Sequence, residues 1–236
     1  MKPIFICTLG RSGCHLLMSL INSTSKVGFM KEYFVGMRDN ARELADEDIL
    51  AIFEKLEHTV VDGRWGTKLD VRDIYFLEKY ISLKGISRKD IGWIWLRRRD
   101  KIAQAISMYK ATEREIWHIH NHTDPDEVER AKADIEIPLE KLRRHVLNLY
   151  IHDSLWERYF IHNKIKPYIV FYEDFVEEPS WLPLIESIFD FLGIPYTDDL
   201  EVSTKFLKVS DPAMVSCSYK NFINSSAEPV RSFWYD

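Results

Sequence analysis

The stretch Pro3-Ile-Phe-Ile-Cys-Thr-Leu-Gly-Arg-Ser-Gly-Cys-His-Leu-Leu17 decides the fold. An apolar run of strand length enters a turn bracketed by Gly10 and Gly13, and a helical pattern follows at once. In such a unit the backbone N–H groups of the turn converge and the helix adds the positive end of its dipole, so Gly10, Arg11, Ser12, Gly13, Cys14 and His15 read as an anion cradle. Its occupant should be strongly negative. Nucleotide triphosphatases need Gly-x-x-x-x-Gly-Lys-Ser/Thr, with Lys on the phosphates and a hydroxyl on magnesium. Here Cys14 and His15 follow Gly13 instead. A P-loop-type kinase or nucleotide hydrolase is therefore only the alternative reading, distinguished by its preference for magnesium-bound ATP. Arg11 remains as a cation that needs no metal.

Working outward, periodicity predicts a strand over 3–8, a helix over 13–23 and a second helix over 41–56. A loop between them carries Lys31, Glu32 and Tyr33. Ile91-Gly-Trp-Ile-Trp-Leu96 predicts a buried strand, with Asp100 as the N-cap of a following helix. From Pro138 a long helix is expected, interrupted at Asp153, whose carboxylate should pair with a nearby arginine. Residues 168–172 complete a third strand. Strands alternating with helices imply an α/β, P-loop-type three-layer fold, its mostly parallel sheet flanked by helices on both faces. A single domain over 1–236 is the simplest partition.

Composition narrows the partners. A net charge of −5 argues against general nucleic-acid binding, so the basic run Arg97-Arg98-Arg99 marks a site rather than a face. No apolar run reaches the length of a membrane span, and three cysteines without metal spacing fit a reducing compartment, so a cytoplasmic location is expected. In a parallel sheet, ligands bind at the carboxyl ends of the strands. Arg11 follows the first strand and Arg97 to Arg99 follow a later one, which implies one ligand with phosphate groups at both ends.

That pairing resembles sulfotransferases, and most closely the trehalose 2-sulfotransferase family. Gly10-Arg-Ser-Gly13, Lys31-Glu-Tyr-Phe34, Trp65-Gly-Thr-Lys-Leu69, Arg98-Arg-Asp-Lys-Ile-Ala-Gln-Ala-Ile-Ser107 and Tyr172-Glu-Asp174 before Phe191-Leu-Gly193 carry the resemblance in that order. It implies 3′-phosphoadenosine 5′-phosphosulfate as co-substrate, no metal, and a carbohydrate or glycolipid-type acceptor hydroxyl; it also allows a homodimer. Arg11, with the backbone donors around it, would stabilise charge on the departing nucleotide. Glu32 matches the family's general base, and burial among apolar neighbours is expected to raise its pKa. Arg98 and Ser107 match the 3′-phosphate ligands, although alternation along a strand end also lets Arg97 or Arg99 face the ligand. Cys14 and His15 replace the family's Ser and Thr. This removes a hydroxyl from the cradle and also leaves room for a non-catalytic nucleotide-binding homologue.

Further expectations concern individual residues and short runs. Lys68 reads as a short-loop lysine, either near the acceptor or the sulfonate or simply solvated, and Lys208 as a tail residue able to close over the nucleotide. Tyr172, Glu173 and Asp174 read as strand-end structure. His118, His120 and His122 alternate at a spacing compatible with zinc, but are expected to line the acceptor pocket or face solvent.

Overall fold

The computed structural model describes residues 1–38, 43–120, 122–133, 135–206 and 218–225. Lys208 and Cys217 lie outside the described residues. The chain divides into two compact units, residues 1–99 with 152–204, and residues 100–151 with 205–236.

The first unit is a sheet of four parallel strands, β1 (Lys2–Cys7), β2 (Arg64–Leu69), β3 (Gly92–Arg97) and β4 (Tyr168–Phe171), in the order β2-β1-β3-β4. Each strand is separated from the next by helix, as a parallel sheet requires. Alternation along the strands fills both faces. Ile4, Ile6, Ile94, Leu96 and Val170 pack against α1 (Cys14–Ser23) and α7 (Trp181–Leu192). Phe5, Cys7, Trp65, Leu69, Trp93 and Trp95 pack on the other side against α2 (Asp46–Glu57), α3 (Ile74–Lys84) and the last turns of α6 (Leu139–His162). The expected three layers are present.

Two sequence expectations shift. The second helix begins at Asp46, where Asp46, Glu47 and Asp48 place three carboxylates on the positive end of its dipole. Lys68 is not in a loop: it lies on β2 beside Ile6 of β1, and only 3% of it is exposed. Trp65, Thr67 and Leu69 hold the aromatic face, so alternation turns Lys68 to the face of α1.

The second unit is helical. Asp100 caps α4 (Lys101–Arg114) by accepting from Ala103 N (2.8 Å), as its sequence predicts. Asp124 and Pro125 open α5 (Pro125–Lys132), whose last carbonyl region is met by the Arg114 guanidinium at Ala131 O and Ala133 O (both 2.9 Å). Ser107 lies on α4. His120 stacks on His122 at 5.4 Å and packs against Phe206 at 4.6 Å. Among the described residues these histidines do not form a metal-ligand group. No helix among them is long and apolar enough to cross a membrane.

Buried aromatic contacts hold one face of the first unit's sheet. Phe53 is fully buried, stacked on Tyr80 at 4.0 Å and tilted against Phe34 at 5.3 Å. Phe53→Ala should cost about 3–5 kcal/mol. In urea unfolding this should appear as a lower midpoint with an unchanged slope.

Candidate active site

Hydroxyls shape the turn after β1. Thr8 N donates to Leu69 O of β2 (2.9 Å) and Thr8 Oγ1 donates to Leu96 O of β3 (2.7 Å), so one residue ties the turn to both neighbouring strands. Ser12 Oγ donates to Leu9 O (2.7 Å) and is buried. Its hydroxyl therefore holds the turn together from inside. Arg11 and Gly13 both adopt left-handed backbone, at φ 61° and 85°. α1 then begins with no side-chain cap and no acidic residue in its first turn. The positive end of its dipole therefore faces the turn with no acidic side chain of its own first turn to offset it.

Gly13 is required twice over. A Cβ there would lie 2.4 Å from Tyr172 Cδ2 and would also carry the positive φ. Tyr172 belongs to the 3-10 turn after β4, so one of the residues expected to be strand-end structure also packs against the turn at Gly13.

The three consecutive arginines at the end of β3 have separate partners. Arg97 donates to Asp153 Oδ2 at 3.3 Å and stacks on Trp95, which is the pairing expected for Asp153. Arg99 is half exposed and forms a two-pronged pair with Asp174 (2.5 and 2.8 Å). Arg98 differs from both. Its side chain is 11% exposed, lies over the Tyr172 ring at 4.7 Å, and donates through Nη1 to Arg11 O at 3.3 Å. Among the described residues its buried Nε has no hydrogen-bond partner, and the nearest carboxylate oxygen, on Glu173, is 3.9 Å away. A buried donor without an acceptor is costly unless a ligand supplies one. Burial lowers the Arg11 pKa; Cys14 opposes that shift and the neighbouring charge of Arg98 adds to it. Two close guanidinium groups in partial burial attract an anion.

Glu32 reaches the cradle because its loop is pinned on both sides. Asn22 of α1 donates from Nδ2 to Met30 O (2.9 Å) and accepts from Met30 N (2.7 Å), while Thr67 of β2 donates to Lys31 O (2.7 Å). Phe34 beyond it is buried and stacked on Phe76. Glu32 Oε1 then lies 3.2 Å from Lys68 Nζ and 3.9 Å from both His15 Nε2 and Cys14 Sγ. Burial pushes the carboxyl pKa up, but Lys68, His15 and Arg38 outweigh it and the net shift is downward. The expectation of a raised pKa is thus corrected: the sequence did not show that β2 brings a buried ammonium to this carboxylate. Cys14, by contrast, has its thiol pushed up to about 11, mainly by burial.

Four contributors were not found from the sequence: Asn22, Arg38, Asp70 and Asp73. Asp70 and Asp73 form a reciprocal cap just past β2, and Arg38 makes a two-pronged bond to Asp73 (2.7 and 2.9 Å). This fastens the far end of the Glu32 loop. An acid at the first and fourth positions after a strand was the available signal.

Comparison with known proteins identifies the class. The chain matches the family model for Stf0 sulphotransferase over residues 65–213, more than half its length. It is also 23% identical over 233 residues to a trehalose 2-sulfotransferase of Mycobacterium tuberculosis (strain ATCC 35801 / TMC 107 / Erdman), with 81% of this chain and 84% of that protein covered. The protein is therefore a sulfotransferase. It belongs to the Stf0 sulphotransferase family. The family match begins at Trp65, so it includes Lys68 and Arg98, whereas the cradle and Glu32 precede it.

Gly13→Ala should destabilise the protein by about 1–3 kcal/mol, since it combines a strained left-handed residue with the Tyr172 overlap. Adding Tyr172→Ala should not restore the loss, because the backbone strain persists and a ring contact is gone. Thermal melts of the two variants check this.

Proposed function

We propose that this protein transfers a sulfonate group from 3′-phosphoadenosine 5′-phosphosulfate to a hydroxyl of a carbohydrate-type acceptor, with Glu32 taking the hydroxyl proton. The observation that carries the reading is the meeting of Glu32 Oε1 with Lys68 Nζ (3.2 Å) beside the uncapped start of α1. A base, a cation and an anion cradle then share one place. Sulfotransferases in general use this donor, and the trehalose 2-sulfotransferase relative supports a sugar as acceptor.

Residues at two places suit the two charged ends of such a donor. The turn of residues 10–15, with Arg11, suits the phosphosulfate. Arg98, whose Nε lacks a partner, suits the 3′-phosphate better than Arg97 or Arg99, whose guanidinium groups are held by Asp153 and Asp174. In the transfer step the acceptor oxygen–sulfur bond forms as the bond from sulfur to the bridging phosphate oxygen breaks. Arg11 and the first N–H groups of α1 stabilise the charge left on that bridging oxygen. Glu32 is ionised at neutral pH and takes the proton from the acceptor. Lys68 has a double role: it keeps Glu32 ionised while the site is empty, and its charge can turn to the sulfonate when the donor arrives. Glu32, still partly buried, then becomes the stronger base.

Two measurements test this. Glu32→Gln should lower turnover by about 10²–10⁴ while calorimetric affinity for 3′-phosphoadenosine 5′-phosphate is retained. Undiminished turnover would remove Glu32 from proton transfer. The second is a pH profile. Since Glu32 in the free enzyme titrates below its ordinary 4.5, the acid limb of kcat/KM should lie below that value. In Lys68→Met the opposing charge is lost while burial remains, so the limb should move to higher pH.

A further inference from the structure

We propose that Cys14 Sγ, a ring nitrogen of His15 and Glu32 Oε1 form a site for a thiophilic divalent cation, zinc foremost, which on binding withdraws Glu32 from catalysis. Cys14 Sγ is 3.5 Å from His15 Nδ1 and 3.9 Å from Glu32 Oε1, and His15 Nε2 is 3.9 Å from that same oxygen. One ligand atom from each of the three lies within 4.8 Å of the others, and no other such group occurs among the described residues. Zinc bonds of about 2.3 Å to sulfur and 2.0–2.2 Å to nitrogen and oxygen place tetrahedral ligand atoms roughly 3.3–3.6 Å apart. Ligand atoms no more than 4.8 Å apart need to close by about 1 Å to reach that spacing.

The donor set selects the ion. Thiolate with imidazole favours zinc and its neighbours over magnesium or calcium, which prefer oxygen alone. Binding exchanges the thiol proton for the metal and releases that proton to solvent, with no change of oxidation state. Three protein ligands leave a fourth position for water. Lys68, 3.2 Å from Glu32 Oε1, and the positive end of α1 both oppose the cation. The site is accordingly weaker than a closed four-ligand centre and suits reversible occupancy. The inhibitory consequence rests on the proposed role of Glu32: a carboxylate bound to zinc cannot accept the acceptor's proton.

Cobalt reports the site directly. Titrating the chelator-stripped full chain with Co²⁺ should give a near-ultraviolet thiolate-to-cobalt charge-transfer band that saturates at one equivalent and is displaced by zinc. Cys14→Ser should abolish the band with the circular dichroism spectrum preserved, and His15→Ala should weaken cobalt binding by about 10-fold or more. Absence of the band in the wild-type chain, or its survival in Cys14→Ser, would overturn the site. Zinc should also slow sulfonate transfer in a chelator-reversible manner, and His15→Ala should weaken inhibition by the same factor as cobalt binding. A cobalt band lost with Cys14 but no inhibition by zinc would uphold the site and remove Glu32 as proton acceptor.

Discussion

The Glu32–Lys68 contact is the interaction on which the site depends. Neither group is well solvated, and a buried charge is tolerated only beside its opposite. The register of β2 against β1 puts Lys68 next to Ile6, and alternation along β2 aims it away from the aromatic layer. The loop carrying Glu32 must then come to it. Asn22 and Thr67 bring it there by bonding the backbone of Met30 and Lys31, so the carboxylate is positioned by main-chain bonds rather than by its own side chain.

A second layer of charge keeps this arrangement in place. Asp73 is fully buried; it accepts from the Asp70 backbone and from both prongs of Arg38, so the turn after β2 and the far end of the Glu32 loop share one carboxylate. Burial would raise the Asp70 pKa, yet Arg72 and Lys68 hold it down. Pairing is equally selective after β3. Asp153 and Asp174 engage the two outer arginines, and Arg98 is left with a buried donor beside Arg11.

Much of the fold was legible because it follows from local pattern. The strand–turn–helix at 3–17, the apolar run at 91–96 and the Asp100 cap each follow from residues adjacent in sequence, and each is found where expected. Lys68 was misread because Trp65-Gly-Thr-Lys-Leu69 contains a glycine and a charge that resemble a loop. Only its pairing with β1 makes it a strand, with the lysine buried. The downward pKa of Glu32 was hidden for the same reason, since the charge that lowers it most belongs to Lys68, 36 positions away in sequence and 3.2 Å away in space.

By itself the sequence determined the parallel α/β framework, the glycine-bracketed turn after the first strand and the identity of the charged groups near it, because periodicity, glycine placement and capping are short-range properties. The tertiary structure alone decided which of three consecutive arginines keeps an unsatisfied donor, which lysine faces the carboxylate and in which direction that carboxylate titrates. Those outcomes depend on distance and burial, and both are fixed only when strands and loops from separate parts of the chain meet.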